Sequence, residues 1–556
     1  MKETTRFRFF PGPSRFGAEP CVVAWPDDAA RPVPAGALAV VAKGFKGAVR
    51  SRPNAPLLQV ATEVAGALVS ILVPTARLVA KKETAREGAL GIHTWDEDVR
   101  LILDASIGVV RKAIKGEPAE IPVDELARFT PDHDELPEQT VLRNAAQMLG
   151  IFAQGLDLSN GSALLVLGSG SRQRRLLGLL PDATTFAGML STNKNVACEL
   201  LAAAGLKVPS GGTVHGKGAA RKLAAQLGFP VTLKVATGSR QRGVVPCIVS
   251  EKALERALEL FPASAELRLE RHVPGTYYRA FVANGKLVAC ASNRSPTVTG
   301  DGKKKIADLV ARTHPWFQKV LDEKDATLAD NARSILVHVL AGYDLEPTSV
   351  LAKGQTVPVA FPTSEGFAHD VTPEVHPENA RALVRATRVL GMFWSGIDVQ
   401  APRIDVPFSQ QEAAILEVND IPAWAFHACP LTGKGVDMAP RIFEAFFGER
   451  SPNVPVAIAF DGRAGKLARA LVAKGVRAVL AADALKAALD PEADAIVLAP
   501  DPARLLEDGL AVPGIDVVLG DVPPTVAGIV EHARKRAKGV RVKDEKRALA
   551  VLLERA

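Results

Sequence analysis

Gly396-Ile397-Asp398-Val399 and, a short way on, Ala414-Ile415-Leu416-Glu417-Val418-Asn419-Asp420-Ile421-Pro422 form the stretch on which the fold turns. Alternation along the second segment predicts a strand with Glu417 and Asn419 on one face. With Asp398 on the neighbouring strand, two carboxylates and a carboxamide converge on one point. Hard oxygen donors of this kind suit Mg²⁺, which uses one or two carboxylates and takes its other partners from water and substrate phosphates. The expectation is a magnesium-nucleotide site on a sheet, and it requires Asp398 to share a face with the other two.

Upstream, several cationic pieces follow in an order that suits a nucleotide. Asn193 and Lys194 open the run NVACELLAAAG, which reads as a capped helix with Lys194 in its first turn. In Phe229 to Val235, Lys234 is surrounded by hydrophobes and must snorkel or meet a counter-charge, which a triphosphate would provide. Gly238-Ser239-Arg240-Gln241-Arg242-Gly243 is a glycine-bounded turn suited to folding over phosphates. Leu267 to Gly275 reads as a strand carrying Glu270, with His272 as a partly buried structural residue. Tyr278 to Val282, Lys286 to Cys290, and a tight turn after Arg294 follow. Backbone groups where the Glu270 strand ends are suited to reading an adenine edge.

Composition sets the frame. The 556 residues predict about three domains: 1–160, 161–448 and 449–556. The first reads as strands at Thr5 to Phe10 and Cys21 to Trp25 with helices over Pro56 to Leu72 and Trp95 to Ile114, then a helix from Thr140 to Gln154. The last alternates strand and helix from Val456 to Leu519, a small parallel unit. Five scattered cysteines imply neither a disulfide framework nor a zinc site. No apolar run has the length of a membrane span, and the N-terminus lacks a signal-like stretch, so the expectation is a cytoplasmic protein with no membrane partner. The net charge of +7 is densest at Lys303-Lys304-Lys305 and from Arg534 to Arg547. Without interleaved aromatics, that tail reads as a solvated helix face and not a nucleic-acid binder.

Lys194, Lys234, Glu270, Asp398, Glu417 and Asn419, in this order, resemble an ATP-grasp ligase. The resemblance sharpens to the cyanophycin synthetase family through GSGSRQRR (168–175), TNKNVACELLAAAGLKVPSG (192–211), PGTYYRAFVANGKLVACASNRSPTVTGDG (274–302), DVTPEVHPEN (370–379), GID (396–398) and EVNDIPAWAFHACP (417–430). It implies a multidomain α/β (α+β) chain. An ATP-grasp core would follow an N-terminal α+β domain and precede a small Rossmann-like parallel α/β domain, similar to a truncated Mur-ligase domain. It implies ATP and Mg²⁺ as cofactors, with Lys194, Lys234, Arg242, Gly243, Glu270 and Val273 at the nucleotide and Asp398, Glu417 and Asn419 at the metal. Arg279 and Arg294 would meet phosphate or a substrate carboxylate. The implied activity is carboxylate-amine ligation through an acyl phosphate on an amino-acid, dipeptide or peptide-polymer substrate, in a homo-oligomer.

Some residues depart from the family pattern. Tyr277 stands where the family has a ribose-binding carboxylate, and Arg240 and Gln241 interrupt the phosphate-covering loop. Lys353 to Asp370 lacks the family's arginine and asparagine beside the transferring phosphate. In the last domain, Gly462-Arg463-Ala464-Gly465-Lys466 keeps a phosphate-loop skeleton, but Leu467 and Ala468 replace the hydroxyls that would bind Mg²⁺. No H-x-x-E-H pattern occurs around Leu57 to Glu63. The departures leave a second reading open: a catalytically silent scaffold that binds nucleotide or peptide.

Overall fold

The computed structural model describes residues 4–10, 12–17, 19–45, 48–72, 77–78, 89–93, 100–118, 137–157, 163–182, 190, 193–236, 243–262, 265–315, 326–361, 368–422 and 424–556. The chain divides into two compact units, Met1–Gly178 with Phe447–Ala556, and Leu179–Phe446.

In the first unit, an antiparallel sheet runs in the order Thr5–Phe10, Cys21–Pro26, Leu90–His93, Arg77–Leu78. Helices Ala35–Gly44, Leu57–Leu72 and Arg100–Lys115 cover one face, burying Leu57, Val60, Val64, Ile102, Leu103 and Ile107 against Val22 and Ile92. Recurrence of apolar residues at helical spacing makes this packing legible in advance. The helix expected over Thr140 to Gln154 is instead Pro137–Met148, and Gln154 lies in the strand Ala153–Asp157. Gly150 takes a left-handed φ of 73°, which ends the helix and turns the chain into that strand. Ala153–Asp157 pairs with Ala163–Leu167, which pairs with Arg174–Leu177.

The C-terminal part of this unit is a wholly parallel sheet in the order Ala478–Ala481, Ala495–Leu498, Val456–Ile458, Val517–Leu519, Val540–Val542. Both faces are buried, one around Ile458, Ile496 and Val518, the other around Ala457, Val497 and Val517, as a doubly wound sheet requires. Its chain order is second, third, first, fourth, fifth. The Rossmann order would place the second strand beside the first. The basic tail is not one solvated helix. Helix Ala527–Arg536 ends, Val540–Val542 adds the last strand, and Glu545–Arg555 follows. Lys538 at φ 50° makes the break, and a Cβ on Gly539 would lie 2.1 Å from the Ile515 carbonyl, so only glycine passes there.

The second unit is built on two antiparallel sheets. The smaller runs Val244–Ile248, Val231–Val235, Leu267–Arg271, Gly211–Val214. Alternation sends Val231, Leu233, Leu267 and Leu269 into a core with helices Gly216–Leu227 and Glu251–Glu259. The larger runs His369–Asp370, Lys286–Asn293, Thr276–Ala283, Trp394–Ala401, Ala414–Asn419. Its apolar face, with Tyr278, Ala280, Ile397, Val399 and Val418, packs with Leu383 and Ala386 of helix Pro377–Val389 and with Ala197 and Leu201 of helix Lys194–Ala203. Each sheet thus keeps its second face for polar residues.

Candidate functional site

The polar face of the larger sheet is organised by register. Arg279 pairs with Asp398 and Asp398 with Glu417, so the three stand in one row across three strands. Directly opposed residues in an antiparallel pair share a face. Asn419 lies two residues along the same face, opposite Gly396. Asp398, Glu417 and Asn419 therefore converge as the alternation predicts, with a bulge between Asp398 and Val399 that accommodates Leu416 as an extra residue. The glycine of Gly396-Ile397-Asp398 has a steric reason: a Cβ there would lie 2.6 Å from Nη2 of Arg279.

Each carboxylate already has a cation. The Arg279 guanidinium donates to Asp398 and, at 3.1 Å, to the Pro422 carbonyl. Burial opposes the charge on Arg279, but Asp398 outweighs it and the guanidinium pKa rises. Lys194 Nζ stands 3.2 Å from Glu417 Oε1. Asn193 caps the helix by accepting from the Asn195 and Val196 amides, which fixes Lys194 as its first residue.

On the smaller sheet, Lys234 Nζ lies 2.7 Å from Glu270 Oε1, and Arg268 Nε lies 2.9 Å from Glu270 Oε2. The counter-charge that Lys234 needs is therefore Glu270. Arg268, which sequence reasoning passed over, completes a buried triad at 3–5 % exposure and also donates to Asn195 Oδ1 at 3.2 Å. Two cations on one carboxylate leave a positive charge in a desolvated place, where an anionic ligand is strongly favoured.

A cavity of about 290 Å³ lies among these groups; Lys194, Lys234, Glu270, Val273, Asp398 and Glu417 line it. Tyr277 and Tyr343 line it too, two of the chain's three tyrosines, and that scarcity was the one signal in the sequence that might have drawn attention to them. The Tyr277 hydroxyl is buried beside Asp398 without a hydrogen bond of good geometry. Burial first, then Asp398, drives its pKa well above the ordinary phenol range. His272 also lines the cavity. Its Nδ1 is 3.1 Å from Thr232 Oγ1, and burial lowers its pKa while Glu270 partly offsets this. His427, from EVNDIPAWAFHACP, is buried, and burial with the nearby Arg279 charge lowers its pKa to about 3.

The remaining expected residues are placed differently. Arg279 and Asn419 stand on the same sheet face but outside the cavity lining. Arg294 is exposed on the turn after Lys286–Asn293 and does not line the cavity. Gly243, at φ 71°, packs on Val235 ahead of the strand Val244–Ile248. Arg242 lies outside the described residues, as do Arg240 and Gln241.

The donor set fits a magnesium ion. Asp398 and Glu417 are hard, directly opposed carboxylates, and one or two such ligands suffice when phosphates and water supply the rest. No cluster of three or more His, Cys, Asp or Glu side chains suited to a metal occurs among the described residues.

No family model matches the chain. Cyanophycin synthetase from Geminocystis herdmanii is 29 % identical over 358 residues, 62 % of this chain and 41 % of that protein. The glutathione biosynthesis bifunctional protein GshAB from Streptococcus mutans is 25 % identical over 280 residues, 47 % of this chain and 36 % of that protein. The matches thus span less than half the length of these relatives. Among solved structures, a bifunctional glutathione synthetase from Pasteurella multocida aligns with a TM-score of 0.37 at 19 % identity, over 64 % of this chain and 52 % of that one. By sequence, the chain is similar to the cyanophycin synthetases.

Proposed function

We propose that this chain is an ATP- and Mg²⁺-dependent carboxylate-amine ligase that joins amino-acid, dipeptide or peptide-polymer units. The observation that carries the reading is the row Arg279, Asp398, Glu417 together with the Lys194 and Lys234 ammonium groups at the same cavity. Arg268, Lys194, Lys234 and Arg279 set four cations against the three carboxylates Glu270, Asp398 and Glu417, an excess that a nucleotide phosphate would neutralise.

In this reading, Lys194 and Lys234 hold ATP phosphates, and Val273 and its neighbours receive the base. A substrate carboxylate oxygen attacks the terminal phosphorus and ADP leaves. An amine then attacks the acyl carbon, phosphate departs and the amine gives up a proton. Asp398, Glu417 and Asn419 would hold Mg²⁺, which supplies charge neutralisation to the phosphates. Arg279 orients the Asp398 carboxylate. Lys194 would pass from Glu417 to phosphate when the nucleotide enters. The division at 1–160, 161–448 and 449–556, a homo-oligomeric assembly and a cytoplasmic setting belong to the same proposal; among the described residues no helix is long and apolar enough to cross a membrane.

The test is phosphate release by the purified chain with ATP, Mg²⁺ and candidate amino acids and dipeptides. Release that requires both an acyl donor and an amine, with a lengthened peptide by mass spectrometry, is expected. ADP formation indifferent to added amine sinks the ligase reading. A second reading, a silent nucleotide- or peptide-binding protein, is favoured by the absence of any arginine or asparagine from Lys353 to Asp370. It predicts ATP binding by calorimetry with no turnover for any substrate pair.

A further inference from the structure

Arg268 stands outside the lining of the cavity between the lysines, so it does not meet a ligand there directly. It is nevertheless buried, at 4 % exposure, and its position is unfavourable by itself. Lys234 lies directly opposite it across the antiparallel pair Val231–Val235 and Leu267–Arg271. Like charges so opposed repel, and apolar side chains in place of a buried ionic group are often as stable or more so. Stability alone does not account for an arginine at this position.

Its hydrogen bonds suggest another use. Glu270, two residues along the same strand, gives one oxygen to each cation: Oε1 to Lys234 Nζ at 2.7 Å and Oε2 to Arg268 Nε at 2.9 Å. The rest of the Arg268 guanidinium is fixed by Asn195 Oδ1 at 3.2 Å and the Pro209 carbonyl at 3.3 Å. Lys234 is held less firmly; besides Glu270 it reaches the Leu416 carbonyl, at 3.5 Å. The neighbouring carboxylates are engaged elsewhere. Glu417 faces Lys194 at 3.2 Å, and the exposed Glu266 accepts from the Asn195 amide at 3.3 Å; neither forms an ion pair with Lys234 or Arg268 among the described residues. Of the two cations on Glu270, one is therefore anchored away from the cavity, and the other lines it.

A cation that turns from a buried carboxylate to a ligand strands that carboxylate, and a buried charge without a partner is strongly destabilising. With Arg268 on Oε2, Glu270 keeps a counter-ion when Lys234 leaves Oε1. We propose that Arg268 is a positioning residue for nucleotide binding: by keeping Glu270 paired, it frees the Lys234 ammonium to turn toward the ligand's phosphates. The inference rests on the nucleotide-site reading above and deepens it, since it assigns the exchange of partners to a residue that never touches the ligand.

Calorimetric titration of the full chain with ATP, and separately with tripolyphosphate, which carries phosphates without base or sugar, tests it. Arg268→Met leaves Lys234 as the one remaining cation on Glu270, and it should weaken both ligands about tenfold or more, the scale of one charge-assisted hydrogen bond. Arg268→Gln, which keeps an amide donor for Asn195, should show the same loss and covers the case in which Arg268→Met does not fold. In a Glu270→Gln background there is no carboxylate to strand, so either substitution of Arg268 should be nearly silent. A role confined to supporting the fold, or to adding general positive charge, would instead give the same loss in both backgrounds. Unchanged affinity of the folded Arg268 variants for the ligands that wild type binds, or an equal loss with and without Glu270→Gln, overturns the proposal alone. A wild type that binds neither ligand overturns the nucleotide reading and the proposal together.

Discussion

In the Leu179–Phe446 unit, each cation meets a carboxylate delivered by a different element: Lys194 from a helix start to Glu417, Lys234 to Glu270 across one sheet, Arg279 to Asp398 across the other. In the C-terminal parallel sheet the corresponding arrangement is local. Arg463 folds back onto Asp461 two residues before it, at 2.6 Å, and donates to the Lys543 carbonyl at 3.0 Å. A Cβ on Gly520 would lie 2.0 Å from that guanidinium. Charges brought together from distant strands enclose a cavity that a ligand can enter by exchanging partners. Charges paired along the chain close on themselves, and the G-x-x-G-K skeleton at 462–466 keeps its shape without an anion.

The sharpest way to break this comparison is Lys234→Met. It removes one of the two cations on Glu270 and leaves the buried Glu270–Arg268 pair charge-balanced, so the stability loss should stay below the about 3–5 kcal/mol of a buried charge left unpaired, while the ammonium facing the cavity is gone. Chemical denaturation should show that loss together with loss of ATP binding. A variant as stable as wild type would mean that the triad contributes no net stability.

Glu417→Gln should act next most strongly. It removes one of the two opposed carboxylates, so the Mg²⁺ concentration for half-maximal nucleotide binding should rise about 10- to 100-fold. An unchanged metal requirement would separate Glu417 from the metal. A smaller effect follows from His427. Its pKa lies at about 3 in the fold, from burial and then Arg279, against 6.5 ordinarily. The unfolded chain therefore binds the extra proton between these values. Stability contributed by the neutral ring is present in full above pH 6.5 and is lost as pH falls toward 3, by up to about 1.4 kcal/mol per pH unit. Thermal melts from pH 7 to pH 4 should show the slope, and His427→Asn should flatten it.

Lys466→Ala should do least, leaving nucleotide turnover and melting temperature unchanged, because Lys466 is exposed beside a loop that lacks metal-binding hydroxyls. If it abolished ATP use, the two regions would be doing the same work and the contrast between them would fail.

Much of the fold was legible because its signals are local. Strands Ala478–Ala481, Ala495–Leu498 and Val517–Leu519 fall where the apolar runs predict them, and Asn193 caps the helix that its position before Lys194 implies. Gln154 was misassigned because the amphipathic pattern runs past Gly150, and a left-handed glycine overrides periodicity without changing it. Arg268 was missed for a related reason. In LRLER it looks like a solvated alternate residue, and only the pairing of Lys234 with Arg268, and of Thr232 with Glu270, turns that alternate face inward.

The sequence by itself determined which residues alternate, which helices are capped, and that Glu417 and Asn419 carry oxygen on one face of their strand, since side-chain periodicity follows from backbone geometry alone. Register lay beyond it. Whether Arg279 stands opposite Asp398, whether Lys234 meets Glu270 or solvent, and whether Arg463 turns back onto Asp461 depend on which strands lie side by side and by how many residues they are offset. A shift of one residue would send each of the strand-borne groups to the opposite face. That offset is set by packing of the whole unit, which is why only the tertiary structure could decide it.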